Sequence, residues 1–300
     1  MKIAVGASSF GSASDDAMRL LESHGIEVIK NPYGRKMTEE EIIAHIKEAD
    51  GLLAGLEPLT EKVFSSCPNL KAVARVGIGT DNVDFDAAKR HGVKVSNTPD
   101  GPTRAVAEMT LAALLALIHR FPALDEDVHN GTWKKRLGKS IEGLRVLVVG
   151  CGRIGKQVAA LLSGLGAEIK AYDKYQEEAS DCTLEDGLRW AEAVTLHVSG
   201  NDEVLGAKEI AMMREDAYIL NSARGAVVNE DALYDALMNK KIAGFWGDAL
   251  WQEPYKGKIC ECGNAILTPH ACTYTAQCRR SMEMQATKNL MRDLGLIIDQ

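Results

Sequence analysis

Three polar side chains in the second half of the sequence could do chemistry together. Arg224 lies in Asn221-Ser222-Ala223-Arg224-Gly225 and His270 in Leu267-Thr268-Pro269-His270-Ala271, each just after an apolar run; Glu253 lies between them in Gln252-Glu253-Pro254. An arginine matches a carboxylate through two parallel hydrogen bonds. Histidine titrates near neutral pH and so can give or take a proton. A carboxylate such as Glu253 would orient the imidazole and stabilise its protonated form. The trio suits proton-coupled chemistry on a small organic anion. Singly, two of them have a plainer reading: Arg224 in a surface salt bridge, His270 packed at a helix start.

What the trio would act with is written earlier in the chain. The apolar run Val146-Leu147-Val148-Val149 leads into Gly150-Cys151-Gly152-Arg153-Ile154-Gly155, and a second run, Glu168–Tyr172, ends at Asp173. A GxGxxG alone is a weak signal, but between a strand and a helical pattern, with an acid after the next strand, it is the dinucleotide fingerprint. Gly150 permits the tight turn, Gly152 the approach of a pyrophosphate to the backbone, and Gly155 close helix–strand packing; the helix N-terminus supplies amide donors. Asp173 can accept from ribose hydroxyls and would repel a 2′-phosphate. This favours NAD over NADP, a preference that Lys174 weakens slightly. A structural glycine turn is the alternative. Asp248, after the run 243–247, either receives the nicotinamide amide or caps a strand end, and His197 lines the crevice.

These residues need parallel sheets behind them, because in open α/β sheets the ligand lies at the carboxyl ends of the strands. Apolar runs at 2–6, 26–30, 51–54, 71–75 and 93–96 alternate with helical patterns near 14–24, 38–47, 60–66 and 83–90. Thr38 and Glu41 have the spacing of a capping box. A long, nearly all-apolar helix is expected from Thr103 to His119, buried between lobes. The loop-like stretch 130–143 follows, then a second strand series at 145–149, 168–172, 193–197, 217–221, 243–247 and 265–267, and a final helix over about 274–296. The fold class is therefore α/β, with two doubly wound parallel-sheet lobes. A dinucleotide-binding lobe (99–272) is inserted into a lobe made from both chain ends (1–98 and 273–300).

Composition narrows the function. Three hundred residues, 46% hydrophobic, can bury a large core, and a net charge of −7 argues against a general nucleic-acid binder. No apolar run is long enough to span a membrane, and the first residues read as a strand rather than a leader. Seven scattered cysteines suit a reducing, cytoplasmic setting better than a disulfide framework. Cys260 and Cys262 offer two ligands, too few for a metal site, and none is expected.

The full pattern resembles the D-isomer-specific 2-hydroxyacid dehydrogenases, nearest their phosphoglycerate dehydrogenase-like branch. The likeness runs from Arg75-Val76-Gly77-Ile78-Gly79-Thr80-Asp81-Asn82-Val83, through the crossover Asn97-Thr98-Pro99-Asp100-Gly101-Pro102-Thr103, to Pro269-His270. It implies an NAD-binding Rossmann domain inserted into a flavodoxin-like catalytic domain, and reversible oxidation of a D-2-hydroxyacid by NAD. By the resemblance Arg224 holds the substrate carboxylate and keto oxygen, His270 is the general acid/base, and Glu253 is its partner. Arg75 with the Val76 and Gly77 amides meets the carboxylate. Gly150, Gly152, Arg153, Ile154, Gly155 and Asp173 hold the cofactor, and Ser222, Ala223 and Asp248 line its nicotinamide side. A homodimer is also implied.

The departures concern the substrate. Where phosphoglycerate dehydrogenases commonly carry an arginine for the phosphate, this chain has Gly55, and Glu57 nearby disfavours phosphate on charge; Arg104 and the run Lys134-Lys135-Arg136 could compensate. The stretch from Asp173 to His197 is short, and Val198-Ser199-Gly200-Asn201 replaces a proline-containing loop. No C-terminal regulatory domain is expected, since the sequence ends soon after its last helix. The expected pair is 3-phosphoglycerate and 3-phosphohydroxypyruvate. Glyoxylate/hydroxypyruvate reduction, D-lactate-type dehydrogenation and, from another class, an NAD-sensing binding or corepressor protein are the alternatives. Gly55, Glu57, Arg104 and Tyr274 would decide among the enzymes.

Overall fold

The computed structural model describes residues 1–297 and divides into two compact units. One comprises Met1–Pro102 with the residues from Thr273 onward, the other Thr103–Cys272. The crossover residues 99–102, expected with the inserted lobe, belong to the first unit.

In the first unit β1 (Lys2–Val5), β2 (Glu27–Ile29), β3 (Gly51–Ala54), β4 (Ala72–Arg75) and β5 (Lys94–Ser96) form a parallel sheet in the order β2-β1-β3-β4-β5. Helices α1 (Asp16–Ser23), α2 (Glu39–Ile46), α3 (Glu61–Ser66) and α4 (Phe85–Arg90) make the crossovers. The capping box at α2 forms: the Thr38 hydroxyl accepts from the Glu41 amide, and the Glu41 carboxylate accepts from the Thr38 amide. Leu52, Ala54 and Val73 bury one face of the sheet with Ile42, Ile46, Val63 and Phe64 of α2 and α3. The strand order reverses direction between β1 and β3, so the carboxyl ends of those two strands open the crevice in which such sheets bind ligands.

The second unit begins with α5 (Pro102–Ile118), whose first residue closes the first unit, and α6 (Phe121–His129). Then β6 (Arg145–Val149), β7 (Glu168–Tyr172), β8 (Ala193–Leu196), β9 (Tyr218–Asn221), β10 (Gly244–Gly247) and β11 (Ala265–Leu267) make a six-stranded parallel sheet, ordered β11-β10-β9-β8-β6-β7. Helices α7 (Arg153–Gly164), α8 (Leu184–Trp190), α9 (Ala207–Met212) and α10 (Glu230–Met238) cover it. The final helix, α11 (Ala276–Asp293), returns to the first unit and packs against α1, β3, β4 and β5.

Alternate residues of each strand in the second unit enter different cores, as a pleat requires. Leu147, Val149, Leu196 and Ile219 join Leu233 and Leu237 of α10 on one face. Val146, Leu220 and Trp246 meet Val106, Leu114, Leu117 and Ile118 of α5 on the other. The apolar side of α5 is thus part of this unit's own core, which accounts for its composition. Compared with a 3-2-1-4-5-6 sheet, no strand lies outside β7 among the described residues. Between Tyr172 and Ala193 the chain makes only a 3-10 turn (Glu177–Ala179) and α8, which is the structural form of the short stretch noted in the sequence. Among the described residues no single helix is long and apolar enough to cross a membrane.

Candidate active site

Most of the sequence-predicted chemistry of the second unit stands just past the carboxyl end of a strand. Gly150 follows β6, Asp173 follows β7, His197 follows β8, Ser222 to Arg224 follow β9, Asp248 follows β10, and His270 lies in the loop after β11. Parallel strands end on one edge, so residues scattered over more than a hundred positions are gathered at the edge where such sheets bind ligands.

The glycine loop has the conformation its residue types demand. Gly150 has φ +96°, and a β-carbon there would lie 2.7 Å from the His197 carbonyl group; one on Gly155 would lie 1.9 Å from the Gly150 oxygen. Neither position tolerates a side chain, so α7 approaches its strand closely and opens at Arg153 with no side-chain cap on Gly152. The first amides of a helix have no acceptor within it, which leaves donors suited to a pyrophosphate. The residues present fit a dinucleotide.

Asp173 has more to do than the sequence implied. Its carboxylate accepts from the amides of Cys151 (2.7 Å), Tyr175 (2.9 Å) and Gln176 (3.1 Å), tying the glycine loop to the turn after β7. Burial alone would raise its pKa, but the amides outweigh that and hold it below the usual value. The acid is therefore ionised at neutral pH, and its fourth acceptor position takes the Gln176 side-chain amide at 3.4 Å, the longest of the four bonds.

After β8, His197 is half-buried between the Thr195 hydroxyl (2.8 Å) and the Ser222 hydroxyl (3.0 Å), and loss of solvent around the ring pushes its pKa down to about 3. It is a neutral wall of the crevice. Ser222, expected to line the nicotinamide side, spends its hydroxyl on this imidazole, and Ala223 is buried.

Arg224 is half-buried; its Nη1 donates to the Ala223 carbonyl, and the Asn221 side chain fixes its own carbonyl. Gly225 explains how its loop sits: a β-carbon there would lie 2.4 Å from the backbone of Leu250 and Trp251. Only glycine lets the Arg224 loop press against the segment leading to Glu253. That segment is pinned in turn by the Trp251 indole, which donates to the Val228 carbonyl at 2.8 Å.

His270 and Glu253 meet as expected, Nδ1 to Oε1 at 2.8 Å, with both side chains partly open to solvent. The hydrogen bond to His270, opposed by burial, keeps the Glu253 pKa below the ordinary glutamate value. A carboxylate on Nδ1 selects the tautomer with its proton there and leaves Nε2 for a reacting group.

Asp248 receives a different task from the cofactor contact expected of it. It is 2% exposed, and its carboxylate accepts from the Thr268 hydroxyl (2.6 Å) and the amides of Ala271 (2.9 Å) and Cys272 (3.0 Å). Its carbonyl accepts the His270 amide at 2.9 Å. Four bonds from one residue thus close the loop around His270, whose φ of +52° is left-handed, a region that non-glycine residues seldom adopt. Asp248 is a staple that sets the direction of the imidazole.

Within the first unit, the loop after β4 carries the expected carboxylate donors, and these need correction. The Val76 amide donates to the Ala54 carbonyl at 2.9 Å and the Gly77 amide to the Thr98 hydroxyl at 2.8 Å. Both are already used in holding the loop. The next two amides, those of Ile78 and Gly79, have no acceptor among the described residues, and they are the donors this loop can offer. Arg75 bonds the Val76 carbonyl through Nη1. Arg104, expected as a phosphate contact, is exposed and paired with Glu108 one turn on at 2.5 Å. Arg136 of the basic run is held by both oxygens of Asp127.

Residues 111–272 match the D-isomer specific 2-hydroxyacid dehydrogenase, NAD binding domain, family. This chain belongs to the D-isomer specific 2-hydroxyacid dehydrogenases. Its second unit is their NAD-binding domain. The chain is 33% identical, over 92% of its length and 53% of the other, to a D-3-phosphoglycerate dehydrogenase of Synechocystis. It is 30% identical to a glyoxylate reductase of Thermococcus litoralis, over 91% of both chains. A solved protein of Thermus thermophilus superposes with a TM-score of 0.90 at 29% identity, over 98% of this chain and 97% of the other. The chain spans about half the length of the phosphoglycerate dehydrogenases of Synechocystis and Methanocaldococcus jannaschii.

Replacing Asp248 separates the two tasks considered for it. Asp248→Asn sets an amide N–H against backbone N–H groups, a loss of about 1–3 kcal/mol. The expected outcome is a lower thermal midpoint and at least roughly tenfold lower turnover, with NADH affinity measured by fluorescence much less affected. Weakened NADH binding with turnover retained would restore the cofactor role.

Proposed function

We propose that the chain is an NAD-dependent dehydrogenase that interconverts a D-2-hydroxy acid and its 2-keto acid. The observation that carries the reading is the His270–Glu253 pair, 2.8 Å apart in loops after neighbouring strands, on the sheet whose β6 bears the glycine loop. Family membership supports it, as do the two kinds of dehydrogenase among the relatives.

When bound at Gly150–Gly155 and Asp173, the cofactor supplies the hydride in the reductive direction and accepts it in the oxidative one. The side chains then have defined work. His270 gives its Nε2 proton to the keto oxygen as negative charge grows there, and takes it back in oxidation. Glu253 remains a carboxylate throughout, because its hydrogen bond to the ring keeps its pKa low, and so holds Nδ1–H and the ring's direction. Arg224 binds the substrate carboxylate and stabilises charge developing on the oxygen. Asp173, ionised beside the ribose position, disfavours a 2′-phosphate and supports NAD over NADP.

The active form is a homodimer in this reading. α6 has no buried residue, and with the loop after it exposes Phe121, Val128, Trp133 and Leu137, the last two about 90% exposed. The bidentate Arg136–Asp127 pair folds this loop back on the helix and fixes the apolar surface in place. Such a patch on one chain marks a protein interface.

Two measurements test these statements. His270→Ala should lower turnover about 10²- to 10⁴-fold and change the NADH dissociation constant far less; a variant with unchanged turnover would sink the acid/base assignment. Sedimentation should give a dimer mass for the wild type and a monomer mass for the double variant Trp133→Glu, Leu137→Glu. A wild-type monomer would contradict the assembly.

A further inference from the structure

Glu253 owes its place to residues that the proposed mechanism does not use. It stands at the tip of a turn in the loop after β10, where Gln252, Glu253 and Pro254 are all exposed. An exposed turn makes few contacts of its own and is free to move. A carboxylate that must keep a ring in one direction needs that turn fixed, because a misplacement of about 1 Å can cost roughly 10²-fold in rate.

The residues on either side of the tip supply the anchor. Trp251 and Tyr255 flank Glu253 at equal distance along the chain, and their ring centroids are 5.7 Å apart. The Trp251 ring lies 6.3 Å from that of Phe245, a buried residue of β10. Both rings pack against the core that contains Val228 and Leu233. Rings that meet across a turn join its two ends, and each also carries a polar handle. Both handles reach one short segment at the start of α10. The Trp251 indole donates to the Val228 carbonyl, and the Tyr255 hydroxyl donates to the Glu230 carboxylate at 2.6 Å while accepting the Ile259 amide at 3.2 Å. Lys258 adds an ion pair with Asp231.

The anchor is independent of the turn it holds. Glu230 and Asp231 are acids in the first turn of α10, a place that the free amides of a helix start favour. Gly257 makes room for the phenol: a β-carbon there would lie 2.4 Å from the Tyr255 oxygen and 2.6 Å from the Glu230 carboxylate. Burial, with Glu230 adding to it, pushes the Tyr255 pKa up, so its hydroxyl remains a donor. The anchoring segment follows directly on Arg224 through the 3-10 turn Gly225–Val227, so it also spaces the Glu253 turn from the arginine.

We propose that Trp251, Tyr255 and Glu230 are positioning residues for the acid/base pair: together they form a clamp that holds the Glu253 carboxylate on Nδ1 of His270. The inference rests on the dehydrogenase reading above. The three act through Glu253 and not on the reacting atoms. The Tyr255–Glu230 bond fixes the second half of the turn, as the Trp251–Val228 bond fixes the first.

The test is the single-turnover rate of NADH oxidation by glyoxylate and by hydroxypyruvate in the wild type, Tyr255→Phe, Glu253→Ala and the double variant. Tyr255→Phe should slow the wild-type rate at least roughly fivefold, with the half-saturating substrate concentration and the NADH dissociation constant changed less than about twofold. In Glu253→Ala, which is slower and is followed at higher enzyme concentration, the same substitution should change the rate less than about twofold, because the clamp has no carboxylate left to hold. Glu230→Ala removes the other end of the bond; it should behave as Tyr255→Phe does in both backgrounds, and it serves alone if the tyrosine variant does not fold. Equal slowing with and without Glu253 would make the bond merely structural and overturn the inference, as would a wild-type rate that neither substitution changes. A wild type that reduces neither acid overturns the dehydrogenase reading and the inference with it.

Discussion

The carboxylate of Asp248 is the constraint on which the proposed acid/base centre depends. A histidine useful for proton transfer must present one nitrogen outward while the other is held, and here the ring hangs from a left-handed residue in a loop. Such a loop does not keep its shape unaided, since the backbone conformation costs energy and its amides need acceptors. Asp248 supplies them: two backbone amides and a hydroxyl converge on its two oxygens, and its carbonyl takes the His270 amide. Trp246, buried in the core two residues earlier, donates to the same Thr268 hydroxyl, so the staple is anchored in the sheet. With the backbone settled, Glu253 has only to set the ring's tautomer.

The cofactor end is built on the same principle. Asp173 collects the Cys151 amide from the glycine loop and two amides from the turn after β7. One acid after β7 and one after β10 each bind backbone amides, and each thereby shapes the loop that touches a ligand. The acids at these strand ends are structural first, and their charge serves the chemistry through the loops they hold.

Much of this was legible in the residues. The alternation of apolar runs gave both sheets, and the positions of Arg224, Glu253 and His270 after or between those runs identified a trio that the fold draws to one edge. What escaped has physical reasons. α6 exposes its apolar residues, so the inward-facing stripe that marks a helix in sequence is absent. The amides of Val76 and Gly77 look the same as those of Ile78 and Gly79, because a backbone donor has no residue type; only the partners Ala54 and Thr98 separate the used pair from the open one. Glu57 is read in the sequence for its charge alone; that it is buried, in space that Gly6 leaves open, shows only in the fold.

In the proposed reaction a hydride moves between a nicotinamide and C2 of a 2-keto acid, with the proton handled by His270. The most direct test is to supply NADH carrying deuterium at both C4 positions with glyoxylate and hydroxypyruvate and to analyse the product by mass and configuration. The product should carry one deuterium at C2 and, from hydroxypyruvate, be the D-enantiomer. Product without deuterium at C2, the L-enantiomer, or bound NADH that never reacts would contradict it.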